Sequence, residues 1–147
     1  YHSRVPFVKQ LMGLASKSAN DNGQVRTILG RICHFDLWEP TKWGVHKALP
    51  RDEAMRKYGS NLKRAFIYKA LNKLIQGSAA DQTKKAMIEV YKAGITPHIQ
   101  VHDELNCSCK DEKEIKMIKE IMENCIELEV PSKVDPKVGA SWGTIKN

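Results

Sequence analysis

Between residues 4 and 20 the apolar positions fall at Val5, Val8, Leu11, Met12, Ala15 and Ala19. Steps of three and four residues put them on one face of a helix. Pro6 suits the first turn, and Asn22-Gly23 supplies the stop. The next run, QVRTILGRICHF, changes character. Val25, Ile28, Ile32, Cys33 and Phe35 favour strand, and Gly30-Arg31 between them predicts a short hairpin. Residues 36–50 hold Trp38, Pro40, Trp43, Gly44 and Pro50, and read as a long loop or lid tacked down by its two tryptophans.

From about Asp52 to Ala93 the pattern is mostly helical. Gly59 and Ser60 separate an early turn from the main helix, so 36–58 counts as loop and 59–94 as helix. Ala65, Ile67, Tyr68, Leu71, Leu74 and Ile75 form one apolar stripe. It resumes after Gly77 with Ala79, Ala80, Ala86, Met87, Val90 and Tyr91, giving one kinked helix or two in line, stopped by Gly94. Ser78 with Asp81 has the spacing of a cap. ITPHIQVHDELNCSC predicts two strands with a polar turn at His102-Asp103-Glu104. Residues 111–128 predict an amphipathic helix, capped by Asp111 with Glu114 completing a capping box, and burying Ile115, Ile118, Ile121, Met122 and Cys125. VPSKVDPKVGASW predicts a last strand with Trp142 near its end. This order of elements is an α+β fold.

The 147 residues fit a single domain. No run approaches the ~18 apolar residues of a membrane span, and the first 20 residues lack the apolar core of a signal peptide. The four cysteines then read as reduced thiols in a cytoplasm. Cys107 and Cys109 make a C-x-C pair, far from Cys33-His34 and short of the four-ligand set that zinc requires. Charge changes the picture more. Residues 1–92 carry 17 basic and 7 acidic side chains, a net +10; residues 93–147 carry 7 and 10, a net −3. A basic portion of this size suggests a polyanionic partner, most often nucleic acid. The chain starts with Tyr1, not Met, as expected of a piece of a longer polypeptide.

Two places could carry chemistry. At His102-Asp103-Glu104 a turn would bring two carboxylates close together, which suits a hard divalent cation; on residue types alone a plain acidic turn is the commoner reading. In NKLIQGSAAD, Asn72 and Gln76 are four apart and share a helix face. They could donate to acceptors in a duplex groove, with Gly77, Ala79 and Ala80 allowing close approach. The plain reading is a small-residue packing seam with two solvated amides. Lys63, Arg64, Lys69, Lys73, Lys84 and Lys85 surround this face, singly as solvated charges or together as a phosphate-binding set. Arg51, Arg56, Lys57, Tyr58 and Gly59 imitate a triphosphate-binding helix, but Lys57 abuts Tyr58 and cannot share its face. RKYG reads as a helix end with a basic surface.

Together, NKLIQGSAAD followed by IQVHDEL resembles the C-terminal palm segment of family A DNA polymerases, the bacterial polymerase I and phage replicase group. That family has an N-x-x-x-Q-G-[ST]-A-A-D helix followed by a Q-V-H-D-E hairpin, motif C. YHSRVPFVKQL is similar to its helix that runs from a tyrosine to a P-x-V step, TILGR to its T-x-x-G-R hairpin, and GASW to its closing glycine-to-tryptophan signature. The likeness spans essentially the whole chain. It implies a partial palm, an antiparallel sheet with the motif C hairpin packed against long helices. It gives Asp103 the role of a catalytic Mg²⁺ ligand and Glu104 that of the adjacent, secondary carboxylate. Gln100 and His102 match residues near the primer terminus. Asn72 and Gln76 match amides that contact the minor groove, and Arg31 matches a hairpin arginine assigned to the DNA backbone.

The resemblance further implies primer–template DNA and a deoxynucleoside triphosphate as partners, in the cytoplasm of a bacterium or a phage-infected host. Tyr68 departs from it, standing where polymerase I enzymes carry arginine. The long 36–58 loop leans toward a phage-like lineage. Motif A, with its D-Y-S-x-x-E-like run, and motif B, which holds the triphosphate, have no counterpart in this sequence. The chain would therefore be inactive alone, needing fingers, thumb and motif A in cis or from a separate subunit. Two alternatives remain on residue types: a non-catalytic nucleic-acid-binding module on a palm scaffold, and a small metal-dependent phosphohydrolase built on His102, Asp103 and Glu104.

Overall fold

The helix expected at the start of the chain is α1, Pro6–Asn22. This computed structural model describes residues 6–44 and 46–145, so expectations resting on Tyr1 and Val5 lie outside the described residues. α1 buries Ala15 and Ala19, one turn apart, and ends where Gly23 takes a φ of +69°. The predicted hairpin follows as β1 (Gln24–Arg26) and β2 (Ile32–His34), antiparallel, with Val25 opposite Cys33. Its turn closes through Gly30 N–H to the Thr27 carbonyl (2.8 Å) and Thr27 N–H to the Arg31 carbonyl (2.9 Å). Gly30 supplies the positive φ, +82°, that such a turn needs. Ala15, Ala19, Val25, Phe35 and Ala70 form the core here, with Cys33, Ile67, Leu71 and Leu74 packed against it.

Residues 36–58 are not the loop that their composition predicted. β3 (Leu37–Pro40) pairs antiparallel with β4 (Leu49–Pro50) on one side and β5 (Leu62–Arg64) on the other, and α2 spans Arg51–Tyr58. Trp38 organises this sheet: the guanidinium groups of Arg51 and Arg64 lie 5.5 and 4.6 Å from its ring centre. Arg64 also donates to the carbonyls of Asn20 (3.0 Å) and Phe35 (2.9 Å). A side chain at Gly23 would strike that guanidinium, since a Cβ there would lie 2.8 Å from its carbon. α2 has Asp52 and Glu53 in its first turn and Arg56 and Lys57 in its last, complementing the helix dipole. It stops at Gly59, φ +82°. Trp43 tacks nothing down; it is 98% exposed.

Nor is 59–94 one helix. Phe66, with φ +61°, turns the chain out of β5 into a short 3-10 turn, Ile67–Lys69. α3 then runs unbroken from Ala70 to Lys92 through Gly77. Ser78 caps nothing; its hydroxyl donates to the Leu74 carbonyl (2.8 Å) and accepts from Ile28 N–H (3.1 Å). The chain divides into two compact units, residues 1–78 and 79–147.

In the second unit α3 ends in a double closure: Gly94 N–H to the Tyr91 carbonyl (3.0 Å) and Ile95 N–H to the Val90 carbonyl (3.2 Å). Gly94 takes φ +87° there, and Val90 and Ile95 are both buried. β6 (Pro97–Val101) and β7 (Glu104–Cys107) form the second predicted hairpin, with an irregularity at His98. α4, Glu112–Asn124, is capped by Asp111, which accepts from the N–H groups of Lys113 (2.9 Å) and Glu114 (3.0 Å). Glu114 reaches back one residue further than a capping box would, accepting from Lys110 N–H (2.7 Å). The last strand does not form: among the described residues, 127–141 carry no strand or helix, and a 3-10 turn, Trp142–Thr144, follows. Pro131 and Pro136 remove two ladder donors from that stretch. The fold is α+β with small antiparallel sheets.

Candidate functional site

The β6–β7 turn is built for presentation. Val101 pairs with Glu104, leaving only His102 and Asp103 to reverse the chain. His102 meets that demand with φ +52°, a left-handed conformation that few non-glycine residues adopt. Holding an L-residue there costs about 1–2 kcal/mol. The Gln100 side-chain amide donates to the His102 carbonyl and braces the turn from within. Gln100 is thus partly committed to shaping the hairpin. His102, Asp103 and Glu104 are all exposed. Among the described residues neither carboxylate is held by an ion pair or a hydrogen bond. No group of three or more His, Cys, Asp or Glu side chains that could hold a metal occurs among the described residues. Asp103 and Glu104 offer a pair of adjacent hard oxygen donors.

The first unit carries the other candidates. Asn72 and Gln76 are exposed one turn apart on α3, and neither amide has a partner among the described residues. Gly77 does give close approach, but to the chain's own hairpin. A Cβ there would lie 2.6 Å from Thr27 Cγ2. Arg31 lies against the same helix: its Nη2 donates to the Gly77 carbonyl (2.7 Å), and its backbone N–H donates to Thr27 Oγ1 (3.0 Å). Arg31 thus clamps the β1–β2 turn to α3.

Several lysines expected to bind phosphate are already engaged. Lys63 pairs with Glu39 (3.4 Å), and Lys73 donates to the His34 carbonyl (3.2 Å) while lying 4.4 Å from the Phe35 ring centre. Lys69 sits over both Phe66 (4.9 Å) and Tyr68 (5.6 Å). Arg64 is occupied at the Trp38 clamp. The thiols of Cys107 and Cys109 are raised by burial, with Cys109 adding to the first and Glu114 and Asp111 to the second. Cys109 lies beyond the end of β7, so the two do not share a strand face.

Sequence reasoning missed the β3–β4–β5 sheet and the arginine clamp on Trp38. One signal was present: Pro50, then Asp52-Glu53, then Arg56-Lys57 before Gly59, a helix start and stop with matching charges.

A family model described as DNA polymerase family A matches residues 1–144. The chain belongs to DNA polymerase family A. It is 40% identical over 143 residues to a DNA-directed DNA polymerase of Pseudomonas phage M6, covering 97% of this chain and 18% of that protein. It is 35% identical over 153 residues to DNA polymerase I of Caldicellulosiruptor bescii, covering 97% of this chain and 16% of the relative. Among solved structures it is similar to the POL domain of Pol1 from M. smegmatis, in complex with DNA primer-template and dNTP. That likeness has a TM-score of 0.73 and 28% identity, and covers 99% of this chain and 24% of the other. The chain thus spans less than a fifth of the length of these curated polymerases. The runs Asn72–Asp81 and Gln100–Glu104 fall on α3 and on the β6–β7 hairpin. Among the described residues no helix is long and apolar enough to cross a membrane.

Proposed function

We propose that this chain is the primer-terminus and motif C portion of a family A DNA polymerase, acting in template-directed nucleotidyl transfer. The observation that carries this is the hairpin turn. A two-residue reversal with a left-handed His102 holds Asp103 and Glu104 in solvent, free of partners among the described residues. Strained backbone of this kind clusters at functional sites. In the reaction the primer 3′-oxygen bonds to the α-phosphorus of a deoxynucleoside triphosphate, the bond from that phosphorus to the bridging oxygen of the β-phosphate breaks, pyrophosphate leaves, and the hydroxyl proton passes to water.

Asp103, with Glu104 beside it, would hold Mg²⁺; the donor set fits, since both groups offer hard oxygens. When bound, the ion supplies charge neutralisation for the phosphoryl oxygens and acidifies the attacking hydroxyl. The remaining ligands belong to motif A, on the remainder of the polymerase, in cis or as a separate subunit. Asn72 and Gln76 donate to minor-groove acceptors, which are much alike in every base pair, so they test pair geometry without reading sequence. His102 and Gln100 border the primer terminus, and Arg31 contacts the DNA backbone beside its clamp on α3. On this reading the chain works in the cytoplasm of a bacterium or a phage-infected host, where its DNA lies.

The test is primer extension by the chain joined to, or mixed with, the polymerase portion bearing motifs A and B. Asp103→Ala should lower the extension rate about a thousandfold or more, the loss of several kcal/mol of charge stabilisation. Asn72→Ala or Gln76→Ala should raise the apparent primer–template KM about tenfold, one hydrogen bond's worth. Full extension by the Asp103 variant sinks the metal role and leaves a non-catalytic DNA-binding module as the reading.

A further inference from the structure

The turn between β3 and β4 carries Trp43 at 98% exposure, the barest large apolar side chain among the described residues. Burying a tryptophan removes roughly 150–250 Å² from water. Leaving one bare forgoes one of the largest stabilising contributions a side chain can make. Contacts hold the residues on either side of Trp43 in this turn. At its base Trp38 is clamped by Arg51 and Arg64. Tyr58, at the end of α2, donates its hydroxyl to the Lys47 carbonyl (3.2 Å) and meets His46 edge-on (5.8 Å). The His46 ring in turn bonds the Lys42 carbonyl (3.2 Å), tying both flanks of the tip together. Trp43 therefore stands beside residues that are held by Tyr58 and by one another. Its surroundings are basic: Lys42, Lys47 and Arg56 are exposed, and residues 37–64 carry seven basic and three acidic side chains.

We propose that this turn is a docking point for single-stranded nucleic acid, with an unpaired base stacked on Trp43 and the flanking phosphates on Lys42 and Lys47. Two features select this occupant. A flat π-surface among cations matches the alternation of base and phosphate along a single strand. In a duplex the base faces are already stacked, and a protein segment would need an acidic surface to match this charge. This surface uses none of the residues assigned to the polymerase reaction. If that reaction is as described above, the occupant is unpaired template strand.

The test is titration of the 147-residue chain with an oligothymidylate of about ten nucleotides, within the usual span of a single-strand site. Magnesium and deoxynucleotide are left out, so the outcome does not depend on Asp103. Binding should quench tryptophan emission. Trp43→Ala should abolish most of the quench and weaken affinity about fivefold or more, the contribution of one stacked base. Trp43→Phe should keep most of the affinity. The Lys42→Ala/Lys47→Ala pair should flatten the dependence of log affinity on log salt by about 1.4, from ~0.7 for each phosphate lost. Unchanged affinity in Trp43→Ala, or a duplex of equal length competing equally well, overturns the proposal. Trp43 is too exposed for its replacement to unfold the chain.

Discussion

A single absent methyl group at Gly77 decides how closely α3 lies against the first hairpin. With alanine there, the new carbon would sit 2.6 Å from the methyl of Thr27, inside van der Waals contact. Neither group is at the end of a long flexible chain, and Thr27 is buried and holds Arg31 through its hydroxyl. Gly77→Ala should therefore cost about 1–3 kcal/mol, as overpacking does. For a chain of this size that is a fall of roughly 3–10 °C in melting temperature. A scan showing a shift under one degree would mean that the hairpin can give way. The sequence left two readings of Gly77 open, a ligand's approach or a packing seam. Nothing local separates them, because the neighbour that fills the space lies far along the chain. The same holds at the β6–β7 turn. His102 is legible as a polar turn residue, but its left-handed backbone follows from the pairing of Val101 with Glu104, which is a property of register.

At the scale of elements, α4 depends on its first residue. Asp111 satisfies two otherwise unpaired backbone donors, and Asp111→Ala should cost about 1 kcal/mol. That is roughly 2–4 °C in thermal unfolding. Asp111→Asn retains the acceptor and should stay within a few tenths of a kcal/mol. An alanine variant as stable as its parent would show that solvent replaces the cap without loss. The long periodic elements were the legible ones: α1, the body of α3, α4 and both hairpins announce themselves by spacing and by stop glycines. β3, β4 and β5 did not, because no tight turn like that at Gly30-Arg31 joins one short strand to the next. Their identity rests on cross-strand contacts and on arginines stacked over Trp38. The expected last strand failed for the complementary reason. Apolar residues alone do not make a strand without an edge to pair with, and the two prolines weaken any such edge.

For the whole molecule, what stays uncovered matters as much as what is packed. A hollow of about 980 Å³ lies in the second unit between the β6–β7 hairpin, α4 and the final residues, lined in part by Ile99, Leu105, Ile115, Ile118, Met122 and Trp142. α4 buries none of its residues fully, although its apolar face is strongly segregated. In the first unit Phe7 and Leu14 stand largely bare. Surface of this kind marks an interaction face. The isolated chain should bind a hydrophobic dye and self-associate, measured as enhanced dye emission and a concentration-dependent sedimentation coefficient. A monodisperse monomer that leaves the dye dark would contradict this. The division at residues 78 and 79 carries a different consequence, for how the chain can be cut. No linker lies there; the backbone ladder of α3 passes straight through it. Severing the chain at that point would leave helical stubs of about nine and fourteen residues, at or below the length at which a helix persists alone.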